Sequence, residues 1–338
     1  MSTTTMRAVQ ITQPGAPFSV TGVAVPDPGP GQVRVRVHAC GVCGGDAIAR
    51  FGLLGVRLPR IPGHEVAGVV DAVGEGVTSW QPGQRVGVGW HGGHCFTCEF
   101  CRRGDFVNCE RREIVGVSYD GGYAEHLIAP QAALARVPEQ LTLEEAAPLM
   151  CAGVTTYNAL RNSGARPGDT VAVHGVGGLG HLALQYADKM GFRVIAVNRG
   201  RAKEALASDL GADDYIDSES GSAGEALAKL GGAQVILGTV GVAAAQADIA
   251  QGLRPNGRLL VIASDHDHQP IPISGDLLIF GRREITGWYS GHAQDSEDAM
   301  NFAALTGVRP LIQTYPLESA EEAFQSMNTA RFRNVLTI

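Results

Sequence analysis

The chain has 338 residues, of which 44% are hydrophobic and 18% charged, so it is long enough to bury a large core and too apolar to be disordered. Its 27 Lys and Arg residues against 34 Asp and Glu residues give a net charge of −7, which argues against binding to nucleic acid or to an anionic membrane. The 45 glycines follow no Gly-x-y repeat, so they predict tight turns rather than a collagen-like helix.

The start of the chain, Met1-Ser2-Thr3-Thr4-Thr5, has neither the basic region nor the apolar region of a secretion signal. No apolar run approaches the ~18 residues that a membrane-spanning helix requires. The sequence therefore predicts a cytoplasmic protein that does not contact a membrane.

The first half of the chain is predicted to be rich in β-strands. Val33, Val35 and Val37 alternate with polar residues, which is the period of a strand with one buried face. Further short strands are predicted at 66–73 and 85–89, because Pro and Gly turns separate these apolar runs.

Seven cysteines lie in this half, and four of them fall within fifteen residues: Cys95, Cys98, Cys101 and Cys109. In a cytoplasmic protein, cysteines indicate metal ligands or reactive thiols rather than disulfides. Four thiolates at this spacing can surround a zinc ion completely, so we predict a structural zinc site. His91 and His94 are then unnecessary as ligands, and we interpret them as loop or pocket residues.

From residue 170 to about residue 260, strands are predicted to alternate with helices. The predicted strands span 170–174, 193–197, 234–237 and 258–262, and the first predicted helix spans 179–190. Gly191 follows that helix as its stop signal. This alternation predicts a parallel, doubly wound sheet.

A glycine-rich segment joins the first of these strands to the following helix. It has the G-x-G-x-x-G pattern, in the residues Gly175, Val176, Gly177, Gly178, Leu179 and Gly180. In this context the glycines let the backbone approach a pyrophosphate, and the helix N-terminus offers unpaired N–H groups. We predict a dinucleotide site, with a glycine-rich turn that binds no ligand as the alternative.

The residues after the second strand of this region bear on the choice of dinucleotide. A chain that binds NAD usually has an acidic residue there, but this chain has Asn198-Arg199-Gly200-Arg201. Guanidinium groups without a carboxylate suit a 2′-phosphate, so we predict a preference for NADP(H), with Asn198 and Arg199 as contacts. The alternative is an NAD(H) site at which Asn198 binds the ribose and the arginines lie at the surface.

Three other residues are candidate metal ligands, although spacing alone cannot group them: Cys43, His64 and Cys151. A site with three protein ligands and one open position would be catalytic, because it could polarise an oxygen of the substrate. Taken singly, a residue such as His64 is more often an ordinary buried histidine, and one such as Cys151 is more often a core thiol.

Together these motifs resemble the zinc-dependent medium-chain alcohol dehydrogenases, and the likeness runs nearly from end to end. The segment 40–46 (CGVCGGD) is similar to the family's first-ligand segment, 63–65 (GHE) to the second and 147–153 (APLMCAG) to the third. A cysteine in the third segment resembles the alcohol and cinnamyl-alcohol branches. The resemblance implies two zinc ions per chain, a structural one and a catalytic one on Cys43, His64 and Cys151.

The resemblance also implies roles for residues near these sites. Asp46 and Glu65 would orient the catalytic ligands, with ordinary surface carboxylates as the alternative. Thr155 would lie beside the nicotinamide and Arg333 would contact the pyrophosphate. Trp90 would line the substrate pocket, or else simply pack in the core.

The chain departs from the family where a proton relay is expected. The family usually has a basic residue and then a Ser or Thr after its first ligand, and a His two residues after the Asp. Here those places hold Gly44, Gly45 and Ile48. The hydroxyl and the imidazole of the relay are therefore absent, and so is one basic contact to the pyrophosphate.

Cys40 is too close in sequence to Cys43 to be another ligand of the same site, and we interpret it as structural.

The resemblance implies an α/β protein with a GroES-like, β-rich catalytic domain at 1–152, completed by a C-terminal return at 291–338, and a Rossmann cofactor domain at 153–290. The segment 284–290 resembles the family's last cofactor-domain strand, which commonly pairs subunits, so a homodimer or homotetramer is expected. The implied reaction is hydride transfer between a nicotinamide and an alcohol, aldehyde or ketone. The alternatives are a reductase of activated C=C bonds and a non-catalytic protein that binds zinc and cofactor.

Overall fold

The structure, a computed structural model, describes residues 4–263, 269–328 and 332–338, so Met1, Ser2 and Thr3 of the N-terminal segment lie outside the described residues. The strands are β1 (Thr5–Gln10), β2 (Ser19–Ala24), β3 (Gln32–Gly41), β4 (Glu65–Val73), β5 (Arg85–Val88), β6 (His91–Gly93), β7 (Glu113–Ile114), β8 (His126–Pro130), β9 (Leu134–Arg136), β10 (Thr170–His174), β11 (Arg193–Asn198), β12 (Asp214–Asp217), β13 (Ala233–Gly238), β14 (Leu253–Val261), β15 (Glu284–Gly287), β16 (Ile312–Pro316) and β17 (Arg333–Thr337). The helices are α1 (Asp46–Arg50), α2 (Glu99–Arg102), α3 (Leu143–Pro148), α4 (Val154–Arg161), α5 (Gly180–Lys189), α6 (Glu204–Asp209), α7 (Ala223–Lys229), α8 (Ala243–Ala250), α9 (Gly275–Ile279), α10 (Ala293–Thr306) and α11 (Ala320–Gln325).

The chain forms two compact units. The first consists of Met1–Val154 and Ser290–Ile338, and the second is the continuous segment Thr155–Tyr289. Within the described ranges, no helix has both the length and the hydrophobicity needed to cross a lipid bilayer.

The first unit is built on a seven-stranded mixed sheet with the order β16-β17-β3-β4-β5-β9, in which β8 also pairs with β3. The alternation predicted for β3 is confirmed, because Val33, Val35 and Val37 are buried. Gly41 at the end of β3 pairs with Glu65 at the start of β4, and with Val335 of β17 on its other side. Three distant parts of the chain therefore meet where β3 ends.

The second unit contains a six-stranded, entirely parallel sheet with the order β12-β11-β10-β13-β14-β15. The predicted doubly wound sheet is therefore confirmed, and β10 and α5 lie within one residue of their predicted bounds. The strand order reverses between β10 and β13. In such sheets, ligands bind outside the carboxyl ends of the strands at this switch point.

One strand of this sheet begins earlier than predicted. β14 starts at Leu253 rather than at Arg258, and its pairing with β13 is irregular near its beginning. This early part contains Pro255, which lacks an N–H, and Asn256, which has a φ of 59°. Because these residues interrupt the apolar pattern, only the regular part of the strand could be predicted.

Candidate metal centres and dinucleotide site

The structure brings together the three residues that sequence spacing could not group. Four residues each place one donor atom within 4.8 Å of the others: Cys43, His64, Cys151 and Glu65. Cys43 follows β3, whereas Glu65 is the first residue of β4 and His64 directly precedes it. Cys151 lies on a π-helical turn, Leu149–Gly153, that follows α3. The Sγ atoms of Cys43 and Cys151 are 4.0 Å apart although 108 residues separate them in sequence.

These donors fit a zinc ion. Two cysteine sulfurs and an imidazole nitrogen are ligands that zinc prefers. His64 Nε2 is buried and has no hydrogen-bond partner among the described residues, which costs roughly 1–3 kcal/mol for a buried polar group unless a ligand binds there. The Cys151 thiol, with a further contribution from His64, holds the pKa of Cys43 well below its ordinary value. Cys43 is thereby favoured as a thiolate, the form that binds metals.

Asp46 is buried, and its carboxylate contacts the candidate ligand His64. Its Oδ1 lies 3.0 Å from His64 Nδ1, and its Oδ2 accepts hydrogen bonds from the Cys43 N–H and the Tyr123 hydroxyl, both at 2.9 Å. The side chain is only 1% exposed, so the alternative of an ordinary surface carboxylate is wrong for Asp46. Tyr123 was not predicted, because no local pattern distinguishes it from other buried aromatic residues.

Glu65 forms a buried ion pair beside the same cluster. Its Oε1 accepts a hydrogen bond from Arg333 Nη2, and its Oε2 has no partner among the described residues. Burial raises the pKa of Glu65 to about 7, although the Arg333 guanidinium opposes this shift. A Cβ on Gly41 would lie 1.9 Å from Glu65 Oε2, so only glycine fits there. Glu65 is thus no surface carboxylate, and the contact of Arg333 with a pyrophosphate stays a prediction.

Trp90 packs on the candidate ligand His64. The two ring centroids are 4.7 Å apart and the ring planes are nearly perpendicular, at 85°. A Cβ on Gly45 would lie 2.8 Å from Trp90 Cζ3 and 2.9 Å from His64 Cε1. The two rings therefore occupy the space that a Ser or Thr of a proton relay would need. Whether Trp90 also lines a substrate pocket stays a prediction.

The four clustered cysteines form the second group of candidate ligands, and their sulfur atoms all lie within 4.8 Å of one another. Backbone N–H groups of Cys95, Cys98 and Arg111 donate to these sulfurs at 3.3 Å. The Thr97 hydroxyl and nearby backbone N–H groups lower the pKa of Cys95 to about 5. These hydrogen bonds favour the thiolate of Cys95, whereas burial raises the pKa of Cys101 to about 12. Four sulfur atoms this close together fit a structural zinc ion with no open position.

Three further residues of the first unit lie outside both candidate metal groups. Cys40 is fully buried, and it belongs to neither group of ligand atoms among the described residues. His91 and His94 contact one another, with His91 Nε2 lying 3.1 Å from His94 Nδ1. Burial lowers the pKa of His91 to about 4, which keeps its imidazole neutral at neutral pH.

The glycine-rich segment lies at the switch point of the parallel sheet. Gly175 has a φ of +102°, and a Cβ there would lie 2.7 Å from Thr239 Oγ1, beyond the end of β13. A Cβ on Gly180 would lie 1.8 Å from the Gly175 oxygen, so this residue must be glycine for α5 to pack against β10. Gly177 faces open space, since a Cβ there would meet nothing within 4 Å. The segment thus has the form of a pyrophosphate cradle.

The residues at and just after the end of β11 form different contacts. The Asn198 Oδ1 accepts from the Val176 N–H at 3.1 Å, so this amide holds the glycine-rich segment in place. Arg201 makes two hydrogen bonds to Glu204, at 2.9 and 3.0 Å, whereas Arg199 is exposed and forms no side-chain ion pair with the described residues. Arg199 is therefore the arginine that remains available to a ligand.

Lys203 was not predicted as a site residue, although it lies beside the cradle. Its Nζ donates to the Val176 oxygen at 2.6 Å, and burial lowers its pKa. The sequence feature that could have indicated it is a lysine five residues after Asn198, directly before α6. Thr155, predicted to lie beside the nicotinamide, is buried in α4.

The chain is similar to known zinc-binding and alcohol dehydrogenases. An alcohol dehydrogenase GroES-like domain model matches residues 29–139, and a zinc-binding dehydrogenase model matches residues 178–304. The chain is 43% identical over 326 residues to the alcohol dehydrogenase notN of Aspergillus sp. (strain MF297-2), covering 96% of this chain and 95% of that protein. It is similar to a solved NAD-dependent alcohol dehydrogenase, with a TM-score of 0.91 and 30% identity over 98% of this chain and 100% of the other. It also resembles the CAD of Helicobacter pylori complexed with NADP(H), with a TM-score of 0.88 and 25% identity over 99% of this chain and 98% of the other.

Proposed function

Because the chain belongs to the zinc-dependent medium-chain alcohol dehydrogenases, a family of oxidoreductases, we propose that it transfers a hydride between NADP(H) and an alcohol, aldehyde or ketone. The strongest support is the convergence of Cys43, His64 and Cys151, where the buried His64 Nε2 has no hydrogen-bond partner within the described part of the chain. Three protein donors leave a fourth position for a substrate oxygen, which is the arrangement of a catalytic zinc site. The chain has the GroES-like and Rossmann-like folds of this family.

We assign catalysis and cofactor binding to different domains. Residues 1–152 and 291–338 form the catalytic domain, and residues 153–290 form the cofactor domain. Two zinc ions bind to the catalytic domain, one at each group of candidate ligands. This assignment is supported by the glycine-rich cradle, which directly follows β10 of the parallel sheet in the second unit.

Each residue near the catalytic ligands has a separate task. When bound, the zinc ion supplies a Lewis acid and the nicotinamide supplies or accepts the hydride. Asp46 accepts from His64 Nδ1, and so fixes the tautomer whose Nε2 lone pair is free. Arg333 neutralises the buried Glu65 carboxylate. Trp90 covers one side of the His64 ring and excludes water from it.

In the cofactor domain, Gly177 and Gly178 allow the pyrophosphate to approach the N-terminus of α5. Leu179 directly precedes that helix, and Gly180 keeps it close to β10. Thr155 and Arg333 complete the proposed cofactor contacts at the nicotinamide and the pyrophosphate, respectively.

A reductase of activated C=C bonds is the second candidate function, since the absence of the relay hydroxyl at Gly45 and of the imidazole at Ile48 favours it. The test is a panel of aldehydes, ketones and enones assayed with NADPH and NADH. Carbonyl reduction with NADPH would support the proposal, and enone reduction alone would favour the second candidate. Turnover of none of these compounds by zinc-loaded protein would leave the non-catalytic alternative.

Arg199→Ala is expected to remove most of the preference for NADPH. A charge-assisted hydrogen bond to the 2′-phosphate contributes roughly 1.5–3 kcal/mol, or about 10- to 100-fold in affinity. Wild type should therefore favour NADPH by about tenfold or more in kcat/KM, and the variant should lose that margin with little change for NADH. Arg201→Ala is the matched control, because Arg201 already pairs with Glu204. Equal use of both cofactors by wild type would refute the preference.

Alcohol oxidation is expected to be slow at neutral pH and to accelerate at alkaline pH. General acid–base catalysis typically contributes about 10²–10⁴-fold, and Gly45 and Ile48 cannot supply it. Solvent hydroxide must then take the proton, so the rate rises with pH, whereas carbonyl reduction is the better activity near neutrality. The measurement is kcat for both directions across the pH range. Rapid ethanol oxidation at neutral pH, without any gain at higher pH, would contradict this expectation.

We also propose that the chain assembles as a homodimer or homotetramer through β15. This strand is the terminal strand of the parallel sheet, so one of its edges has no neighbour within that sheet. An exposed strand edge offers unpaired N–H and C=O groups to another chain. Sedimentation equilibrium would give the number of subunits.

A further inference from the structure

We infer that Tyr123 is a positioning residue of the catalytic metal centre, where its hydroxyl holds Asp46 in the orientation that aims His64 at the metal. This inference rests on the proposed metal site at Cys43, His64 and Cys151. The carboxylate of Asp46 connects Tyr123 to that site, and Tyr123 itself contributes no ligand atom.

The contacts form a continuous chain inside the first unit. The Tyr123 hydroxyl donates to Asp46 Oδ2 at 2.9 Å, and Asp46 Oδ1 lies 3.0 Å from His64 Nδ1. The Cys43 N–H donates to the same Oδ2 at 2.9 Å, so Asp46 contacts two of the three proposed ligand residues. Tyr123 is fully buried and Asp46 is nearly so. Protein groups therefore decide how the carboxylate is turned.

The backbone and ring of Tyr123 are held independently of its hydroxyl. Its N–H donates to the Pro62 oxygen at 3.0 Å and its oxygen accepts from the Val9 N–H at 2.8 Å. The ring packs edge-on against Phe18, with centroids 5.9 Å apart. Removal of the hydroxyl alone should therefore leave the ring in place and affect Asp46 directly.

The segment before His64 is shaped to accept this ring. Gly63 has a φ of +98°, and a Cβ there would lie 2.4 Å from Tyr123 Cδ1. The Tyr123 ring thus lies directly against the residue that precedes His64. Without the hydroxyl, the Cys43 N–H would be the one donor that the described residues still offer to Asp46 Oδ2, and the carboxylate would be free to turn away from His64. Loss of a partner that orients a metal ligand typically costs about 10- to 100-fold in metal affinity or activity.

The test is the rate at which the protein releases zinc to a chelator, followed by metal analysis for wild type, Tyr123→Phe and Tyr119→Phe. We expect Tyr123→Phe to release one of its two ions about 10- to 100-fold faster than wild type and the other ion at an unchanged rate. Tyr119 is the matched control, because its hydroxyl donates at 2.8 Å to the Gly92 oxygen and not to Asp46. Its variant should release both ions at the wild-type rate.

Two results would overturn the inference: release from Tyr123→Phe at the wild-type rate, or equal acceleration in Tyr119→Phe, which would indicate general loosening. If Tyr123→Phe does not fold, Asp46→Asn serves as the second variant. The Asp46→Asn protein, which keeps Tyr123, should release the same zinc ion faster than wild type. An unchanged release rate would refute the role of the carboxylate through which Tyr123 acts. A wild-type protein that binds only one zinc ion would instead refute the proposed catalytic site itself.

Discussion

Replacement of Cys43 by Ser is expected to remove one of two zinc ions per chain and to reduce activity at least about 10³-fold, while the chain stays folded. A serine hydroxyl is a poor zinc ligand, and its loss leaves only His64 and Cys151 of the three proposed donors. A Lewis acid stabilises transition-state charge by several kcal/mol, and each ~1.4 kcal/mol is a tenfold change in rate. Metal analysis and kcat with an aldehyde and NADPH measure the two effects.

Cys40→Ser is the matched control for this experiment. Cys40 is a buried cysteine three residues away, yet it belongs to neither candidate metal group of the described chain. Its variant should keep both ions and most of the activity. Two ions and normal activity in Cys43→Ser would disprove the catalytic assignment.

Replacement of Cys98 by Ser is expected to lower stability far more than activity per folded molecule. Binding of a structural zinc ion contributes folding free energy directly, with apparent values of about 10–16 kcal/mol in zinc-finger peptides. Even a small part of that value is large beside the ~5–15 kcal/mol stability of a typical protein. The measurements are the metal content and the thermal unfolding midpoint, which should fall by several degrees.

Glu99→Gln is the control for the four-cysteine cluster, since Glu99 is the next residue and is exposed. It pairs with Arg103, the residue that directly follows α2, and exposed pairs of this kind contribute little to stability. The variant should unfold as wild type does. A normal midpoint and both zinc ions in Cys98→Ser would show that this cluster holds no structural ion.

Features with a local signature could be predicted from the sequence. The predicted bounds of β10 and α5 agree with the structure to within one residue. The regular spacing of their apolar residues and the glycines between and after them lie in one short segment, so the local sequence indicates both elements. The four-cysteine cluster likewise shows in its spacing. The family resemblance, by contrast, was needed to group Cys43, His64 and Cys151, because pairing between β3 and β4 and the turn after α3 brings them together.

Contacts between distant parts of the chain could not be predicted. Tyr123 and Asp46 are 77 residues apart in sequence, and no sequence pattern around either residue indicates that the two are in contact. The pairing of Arg201 with Glu204 is local, but a surface arginine near an acidic residue has many alternative partners. Lys203 was missed for a similar reason, since its acceptor is a backbone oxygen 27 residues earlier.

The pairing of β17 with β3 also has a consequence for the order of events on the ribosome. β3 precedes the second unit in the chain, whereas its neighbour β17 and Arg333, the partner of Glu65, are made after the whole of that unit. Until then, Ala39, Cys40 and Gly41 of β3 lack their partners in β17, and the Glu65 carboxylate lacks its cation. The second unit, which is continuous in sequence, can fold during translation, whereas the first can be completed only after synthesis has reached β17. The candidate metal site that includes Glu65, the partner of Arg333, can therefore mature only after the second unit has been made.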